Sequence, residues 1–314
     1  MLLDLAVPVS PISLTPSQAL GIPVALVGSV FLALGAQFQH RGVGKVDAQF
    51  AASGAQKGLS MRQLGALLTR PSWVIGTLML GLAIVLQLTS LWLAPLIVVQ
   101  PLGAVALVIT AVVNSRVSKV KLDRESIRAI IFCVGGVGLF VTVAAFTATS
   151  KPIAERELVT VLIILAVVLV AFSIVFATLR ARFGAIFYIV GAGVLFGFVA
   201  TLAKVVIDRV HTLALTGFQL NTVEWLTVLC VIALIVTSLL GSYFVQTAYS
   251  SGPPDLVVAG LTVIDPVVGV SIGVIVLGEA ANAPIWAIPA FLVAGALAVY
   301  GVFQLAKHHP QTNR

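Results

Sequence analysis

The sequence predicts an all-α polytopic membrane protein of about nine transmembrane helices, arranged as two inverted four-helix repeats joined by a linking helix. Three observations predict it. Of 314 residues, 60% are hydrophobic and 9% charged, with a mean hydropathy of +1.13; a soluble domain carries about 25% charged residues, and so few charges cannot cover a water-facing surface. Nine apolar runs each approach the roughly 20 residues a helix needs to cross the hydrocarbon core. The basic residues also segregate between alternate loops.

Taken in order, the first 16 residues, MLLDLAVPVSPISLTP, contain Asp4 and no Lys or Arg. A secretory signal has a cationic start, so no cleavable peptide is expected and 1–17 reads as an extracytoplasmic N-terminal segment. The first repeat, 18–148, holds the runs 18–40, 72–93, 95–114 and 127–148. A linking segment, 149–183, holds the run 157–179, and the second repeat, 184–306, holds 184–207, 224–249, 256–277 and 284–306. These runs are continuous rather than alternating, and a helix satisfies its own backbone in lipid. The loop 41–71 ends in LSMRQLGALLTRPSW, where Ser60 can cap a short helix with Met61, Leu64, Leu67 and Leu68 on one side. Such a helix suits the membrane interface or a lipid-headgroup sensor. The polar tail 307–314 carries His308–His309, a weak metal signal. Cys133 and Cys230 lie within apolar runs and read as small hydrophobes.

Nine crossings place fourteen basic residues on one side, from Arg41 and Lys45 through Arg116 and Arg182 to Arg314, against Lys151, Arg156, Lys204 and Arg209 on the other. The rich side should be cytoplasmic, with the N-terminus outside, the C-terminus inside, and a bacterial cytoplasmic membrane as the setting. This explains the net charge of +7 without a nucleic-acid partner. No HExxH, GxSxG, P-loop or dinucleotide fingerprint occurs, so the chain is not read as an enzyme, and its energy source is a gradient or a separate chain.

The halves echo each other. GSVFLALGAQFQH (28–40) lies over AGVLFGFVATLAK (192–204), APLIVVQPLGAV (94–105) over GPPDLVVAGLTV (252–263), and VGGVG (134–138) over VAGAL (293–297). One extra helix between the units makes the second enter from the opposite face. Secondary transporters use such inverted repeats, with the substrate near the midplane between them.

The stretches LLTRPSWVIG (67–76), LAPLIVVQPLGAV (93–105) and VLGE, ending at Glu279, resemble the drug/metabolite transporter superfamily. The run SVFLALGAQFQHRGV (29–43) and the nine-span layout look most like its NIPA-type magnesium-transporter branch and bacterial relatives. The resemblance covers about 18–306 and implies two inverted units lacking the usual first helix. It departs from the family at SKVK (118–121), where the first half lacks the acidic GE that the second keeps at Gly278–Glu279. Glu279 therefore reads as a helix-end hydrogen-bonding residue rather than half of a paired metal site.

Asp265 is the sharpest signal of function. It lies about ten residues into its run, near the midplane, where an acid costs roughly 2.5–3.5 kcal/mol and tends to face a pathway or a partner. Pro266 leaves the Thr262 carbonyl without its helical donor and bends the helix. Asp265 is thus a candidate substrate contact, protonation switch or low-grade metal ligand, with interhelical hydrogen bonding as the plainer role. Gln37, Gln87, Ser90, Gln100, Tyr243 and Gln246 complete the candidate lining, each also explicable as packing glue. His40 and Lys204 match across the repeat and read as snorkelling side chains or gating contacts. Gly193–Gly197 and Gly269–Gly273 are GxxxG pairs that suit close packing.

Three functions follow: a proton-coupled or cation-binding transporter of a small organic solute, a magnesium or divalent-cation permease, and a non-transporting scaffold or lipid-handling subunit. Mg²⁺ wants octahedral oxygen ligands, and only one carboxylate lies deep, with Asp255 and Glu279 at opposite ends of its helix. No cofactor is expected beyond a proton or Mg²⁺ as coupling or transported ion; the partners expected are the bilayer and the solute or ion, with a homodimer left open.

Overall fold

Lipid offers a backbone no hydrogen-bond partner but itself, and every regular element among the described residues is a helix. The computed structural model describes residues 15–51, 61–118, 122–149, 153–179, 185–216, 224–251 and 254–307. Residues 1–14, Ser60, the Lys119–Lys121 stretch, Lys151, Arg180, Arg182 and the His308–His309 pair lie outside them, as do the side chains of His40, Met61, Leu64 and Asp255.

In chain order the helices are α1 (Pro16–Ala19), α2 (Gly21–Ala51), α3 (Met61–Leu68), α4 (Pro71–Leu93), α5 (Leu96–Leu102), α6 (Ala104–Ser118), α7 (Arg124–Thr147), α8 (Glu155–Leu179), α9 (Ala185–Thr216), α10 (Glu224–Ser251), α11 (Pro254–Ile275) and α12 (Ala287–Lys307). Among the described residues nine stretches are long and apolar enough to cross a membrane, and they fall within a few residues of the nine runs. The chain is an integral membrane protein, its outward faces matched to lipid.

Local chemistry sets the helix ends. Thr15 and Gln18 form a capping box ahead of Pro16. Pro71 opens α4, and the Asp123 carboxylate caps α7 by accepting from the Ser126 N–H at 2.8 Å. The third crossing is broken: Pro101 has no N–H, and the chain steps from α5 to α6 at Gly103. Between α11 and α12 the backbone turns at Gly278, whose φ of 66° is a conformation glycine tolerates without strain. That corner delays the last crossing to Ala287 rather than 284.

Small residues let the helices approach closely. Gly35 meets the Gly76 backbone between α2 and α4, Gly136 and Gly301 bring α7 and α12 together, and Gly193 and Gly197 seat Ile264, Val268 and the Asp265 backbone between α9 and α11. The core centres on α5 and its approach: Leu91, Ala94, Leu96, Ile97, Val98 and Val99 are buried together with Leu202 and Val205 of α9. Exposed apolar side chains such as Ile163, Val167 and Leu239 point outward from α8 and α10. One expectation needs correction. The stripe on α3 does not keep Leu67 and Leu68 on the same footing, because Leu67 packs inward against the bundle while Leu68 is exposed.

Candidate functional site

Helices α2, α4, α5, α9 and α11 surround a cavity of about 440 Å³. Its polar lining is Ser29, Gln87, Gln100, Thr262 and Asp265, and the rest is almost entirely apolar, including Leu32, Ile84, Leu91 and Phe196. Asp265, Pro266, Thr262, Gln100 and Gln87, expected at one site, are therefore brought together.

Two of these groups are left wanting. The Asp265 Oδ1 oxygen is buried with no hydrogen-bond partner among the described residues, and so is the Gln100 Nε2 amide nitrogen. Gln100 is only 5% exposed. Its amide rests on Gly269 of α11, one turn beyond Asp265, at a spot a β-carbon would occupy. Gly269 thus has a use beyond helix packing: it makes room for the amide. The hydroxyls are already committed. Thr262 Oγ1 donates to the Val258 carbonyl at 2.8 Å, and Ser29 Oγ donates to the carbonyls of Ala25 at 3.0 Å and Leu102 at 3.3 Å. The Leu102 carbonyl sits at the α5–α6 break, where helical donors are scarce, so Ser29 satisfies it across helices.

The other candidates lie elsewhere. Ser90 is buried, but its hydroxyl donates to the Gly21 carbonyl at 2.7 Å and ties α4 to the start of α2. Tyr243, at 59% exposure, and Gln246 are exposed on α10, because that helix packs on α9 through a different face. Gln37 is partly buried on α2 and does not line the cavity.

Lys204 does not snorkel. It is buried, and its ammonium donates to the carbonyls of Leu91 at 2.6 Å and Ala94 at 2.8 Å, at the C-terminal end of α4. On the other side of the same corner the Glu279 carboxylate accepts the N–H groups of Leu96 and Ile97, both at 2.7 Å, at the start of α5. Helix ends leave carbonyls and N–H groups unsatisfied, with partial negative charge at the C-terminus and positive at the N-terminus. A cation and an anion from the second half of the chain thus complete the break between two first-half helices. Thr149 donates its N–H to the Glu279 carbonyl at 2.7 Å and secures the loop. Burial raises the Glu279 pKa above the ordinary carboxylate value, opposed by the N–H groups of Ile97 and Leu96 and by the Lys204 ammonium. The GE signature pointed to Glu279, and the repeat pointed to Lys204; their joint role needed the fold. Ser29 was missed, its only signal being a small polar residue beside Gly28 in an apolar run.

Among the described residues no group of three His, Cys, Asp or Glu side chains gathers as a metal site, and Asp265 is the one acidic residue that lines the cavity. Comparison with known proteins adds one relative: the chain is 27% identical over 264 residues to an uncharacterized protein of Corynebacterium glutamicum, covering 84% of this chain and 86% of that one. No protein-family profile matches the chain. No solved structure matches it either.

Proposed function

We propose that the protein is a secondary transporter of the drug/metabolite type, moving a small organic solute across the membrane by alternating access of two inverted units. The observation that carries this reading is the cavity itself. A carboxylate without a partner is expensive inside a membrane, and Asp265, whose Oδ1 has no partner among the described residues, lies halfway along α11 on a cavity bounded by helices of both halves. Equivalent helices also keep equivalent neighbours: α2 packs on α4 as α9 packs on α10, α2 on α6 as α9 on α11, and α7 and α12 pack on each other. This pairing supports the inverted repeat, and the charge segregation supports an outside N-terminus and a cytoplasmic C-terminus.

In this reading Asp265 alternates between ligand-bound and protonated states. A magnesium or divalent-cation permease is the second reading, favoured by the NIPA-type resemblance. Mg²⁺ would then keep most of its water, since it demands six oxygen ligands and the described lining of the cavity holds one carboxylate.

Uptake into proteoliposomes tests both, comparing wild type with Asp265→Asn in the presence and absence of a proton gradient. Organic-solute flux that follows the gradient and is lost in the variant is the expected result. Magnesium flux that disappears in the variant favours the permease. Solute flux of any kind that ignores Asp265 defeats the site assignment.

A further inference from the structure

Two unsatisfied groups of opposite character share one cavity. Most buried polar groups in proteins are hydrogen-bonded, and leaving one bare costs its full desolvation. Here an acceptor, Asp265 Oδ1, and a donor, Gln100 Nε2, are both bare among the described residues, about one helical turn apart along α11 as marked by Asp265 and Gly269. The neighbouring hydroxyls of Ser29 and Thr262 are spent on backbone carbonyls. A molecule that brings a donor to one and an acceptor to the other would satisfy both.

Charge narrows the class. Among the described residues that line the cavity, Asp265 is the only charged one, so one positive charge balances it. A divalent ion would leave an uncompensated charge and lack ligands, an anion would be repelled, and a neutral polyol would leave the carboxylate unpaired against leucines. The walls set the body of the ligand: Leu32, Ile84, Leu88, Leu91, Leu261 and Phe196 offer apolar contact. The cavity volume of about 440 Å³ lies within the roughly 300–1,000 Å³ of small-molecule pockets.

We propose that the cavity binds a small monocationic amine with an apolar body and a hydrogen-bond acceptor a few bonds away, the ammonium on Asp265 and the acceptor on the Gln100 amide. This rests on the transporter reading and names its cargo. It is tested on the purified full chain in lipid nanodiscs, by calorimetry with four probes: 2-amino-1-phenylethanol, phenethylamine, 1-phenylethane-1,2-diol and magnesium chloride. The amino alcohol should bind most tightly and phenethylamine several-fold more weakly, with no binding of the diol or of magnesium. Asp265→Asn should weaken both amines at least tenfold. Asp265→Glu, which keeps the charge, should retain them and guards against a variant that merely fails to fold. Gln100→Leu should cost the amino alcohol its several-fold advantage and leave phenethylamine unchanged. Equal binding of the diol, amine binding that survives Asp265→Asn, magnesium binding that depends on Asp265, or no amine binding by the wild type each overturns the inference. Flux is measured separately in proteoliposomes: amine binding without amine flux upholds the inference and sinks the transporter reading, whereas flux of a neutral solute without amine binding does the reverse.

Discussion

Two buried polar centres lie close together along α5, and they are built on opposite terms. At the α4–α5 corner, Lys204 and Glu279 meet four backbone groups at 2.6–2.8 Å. Less than two turns further along, Gln100 and Asp265 face a cavity with atoms that bond to nothing among the described residues. Both centres join side chains of the second half to helices of the first. The corner spends its charges on the fold, stabilising a helix break that the hydrophobic effect alone would leave with bare carbonyls and N–H groups. The cavity leaves its charge unspent, which is useful only if something else is to meet it. In a membrane, where polar atoms are scarce, the contrast separates the group that holds the structure from the group that waits for a ligand.

The comparison can be broken most sharply at the corner. Glu279→Ala should destabilise the protein by about 3–5 kcal/mol, because it strips two N–H groups of their acceptor and removes the nearer of the two carboxylates, Glu279 and Asp208, that offset the buried Lys204 charge. Thermal or denaturant unfolding in detergent measures it. Lys204→Met should cost about 1.5–3 kcal/mol, the worth of its charged hydrogen bonds, and the double variant Lys204→Met/Glu279→Leu should fall short of the sum of the single losses. Additive losses would mean that the two residues serve the corner separately.

A smaller effect is expected where α7 and α12 touch through glycine. A β-carbon at Gly136 would run into the backbone of Ala298, so Gly136→Leu should cost about 1–3 kcal/mol by overpacking without touching the cavity. Asp265→Asn should behave in the opposite sense to the corner variants. Its stability should hold or rise by about 1 kcal/mol, since it removes a desolvated charge that no group among the described residues pairs, while solute flux is lost; a stability loss like that of Glu279→Ala would make Asp265 a structural residue. Smallest of all, Ser90→Ala should cost about 0.6 kcal/mol, the average for an interhelical hydrogen bond in a membrane. Tyr243→Ala and Gln246→Ala should leave flux unchanged, because both side chains point away from the cavity.

The legibility of the candidate site followed the physics of each residue. Asp265 stood out because an acid in hydrocarbon is costly wherever its helix turns. Gln100 and Gln87 stood out only as polar residues in apolar runs, a property they share with Tyr243, Gln246 and Gln37. Which of these face inward depends on the rotation of α10 against α9 and of α2 against α4, and nearly uniform apolar runs encode that rotation poorly. Lys204 looked like a residue bound for the interface because its long stem permits snorkelling; the carbonyls that hold it inside belong to a helix end more than a hundred residues earlier in the chain. Gly269 looked like packing, and the amide that needs its missing side chain comes from another helix.

The amino-acid sequence by itself determined the solvent, the number of crossings and, within a few residues, where each begins and ends, because length and hydropathy act locally and lipid permits only helices. It also determined the break in the third crossing, through Pro101 and Gly103, and the corner at Gly278. Only the tertiary structure decided which polar atoms would find partners. Hydrogen bonds over long sequence separations depend on how helices rotate and approach, which small residues at many contacts set jointly. That is why Glu279 ends beneath α5 with both oxygens bonded, while Asp265 looks into an open cavity.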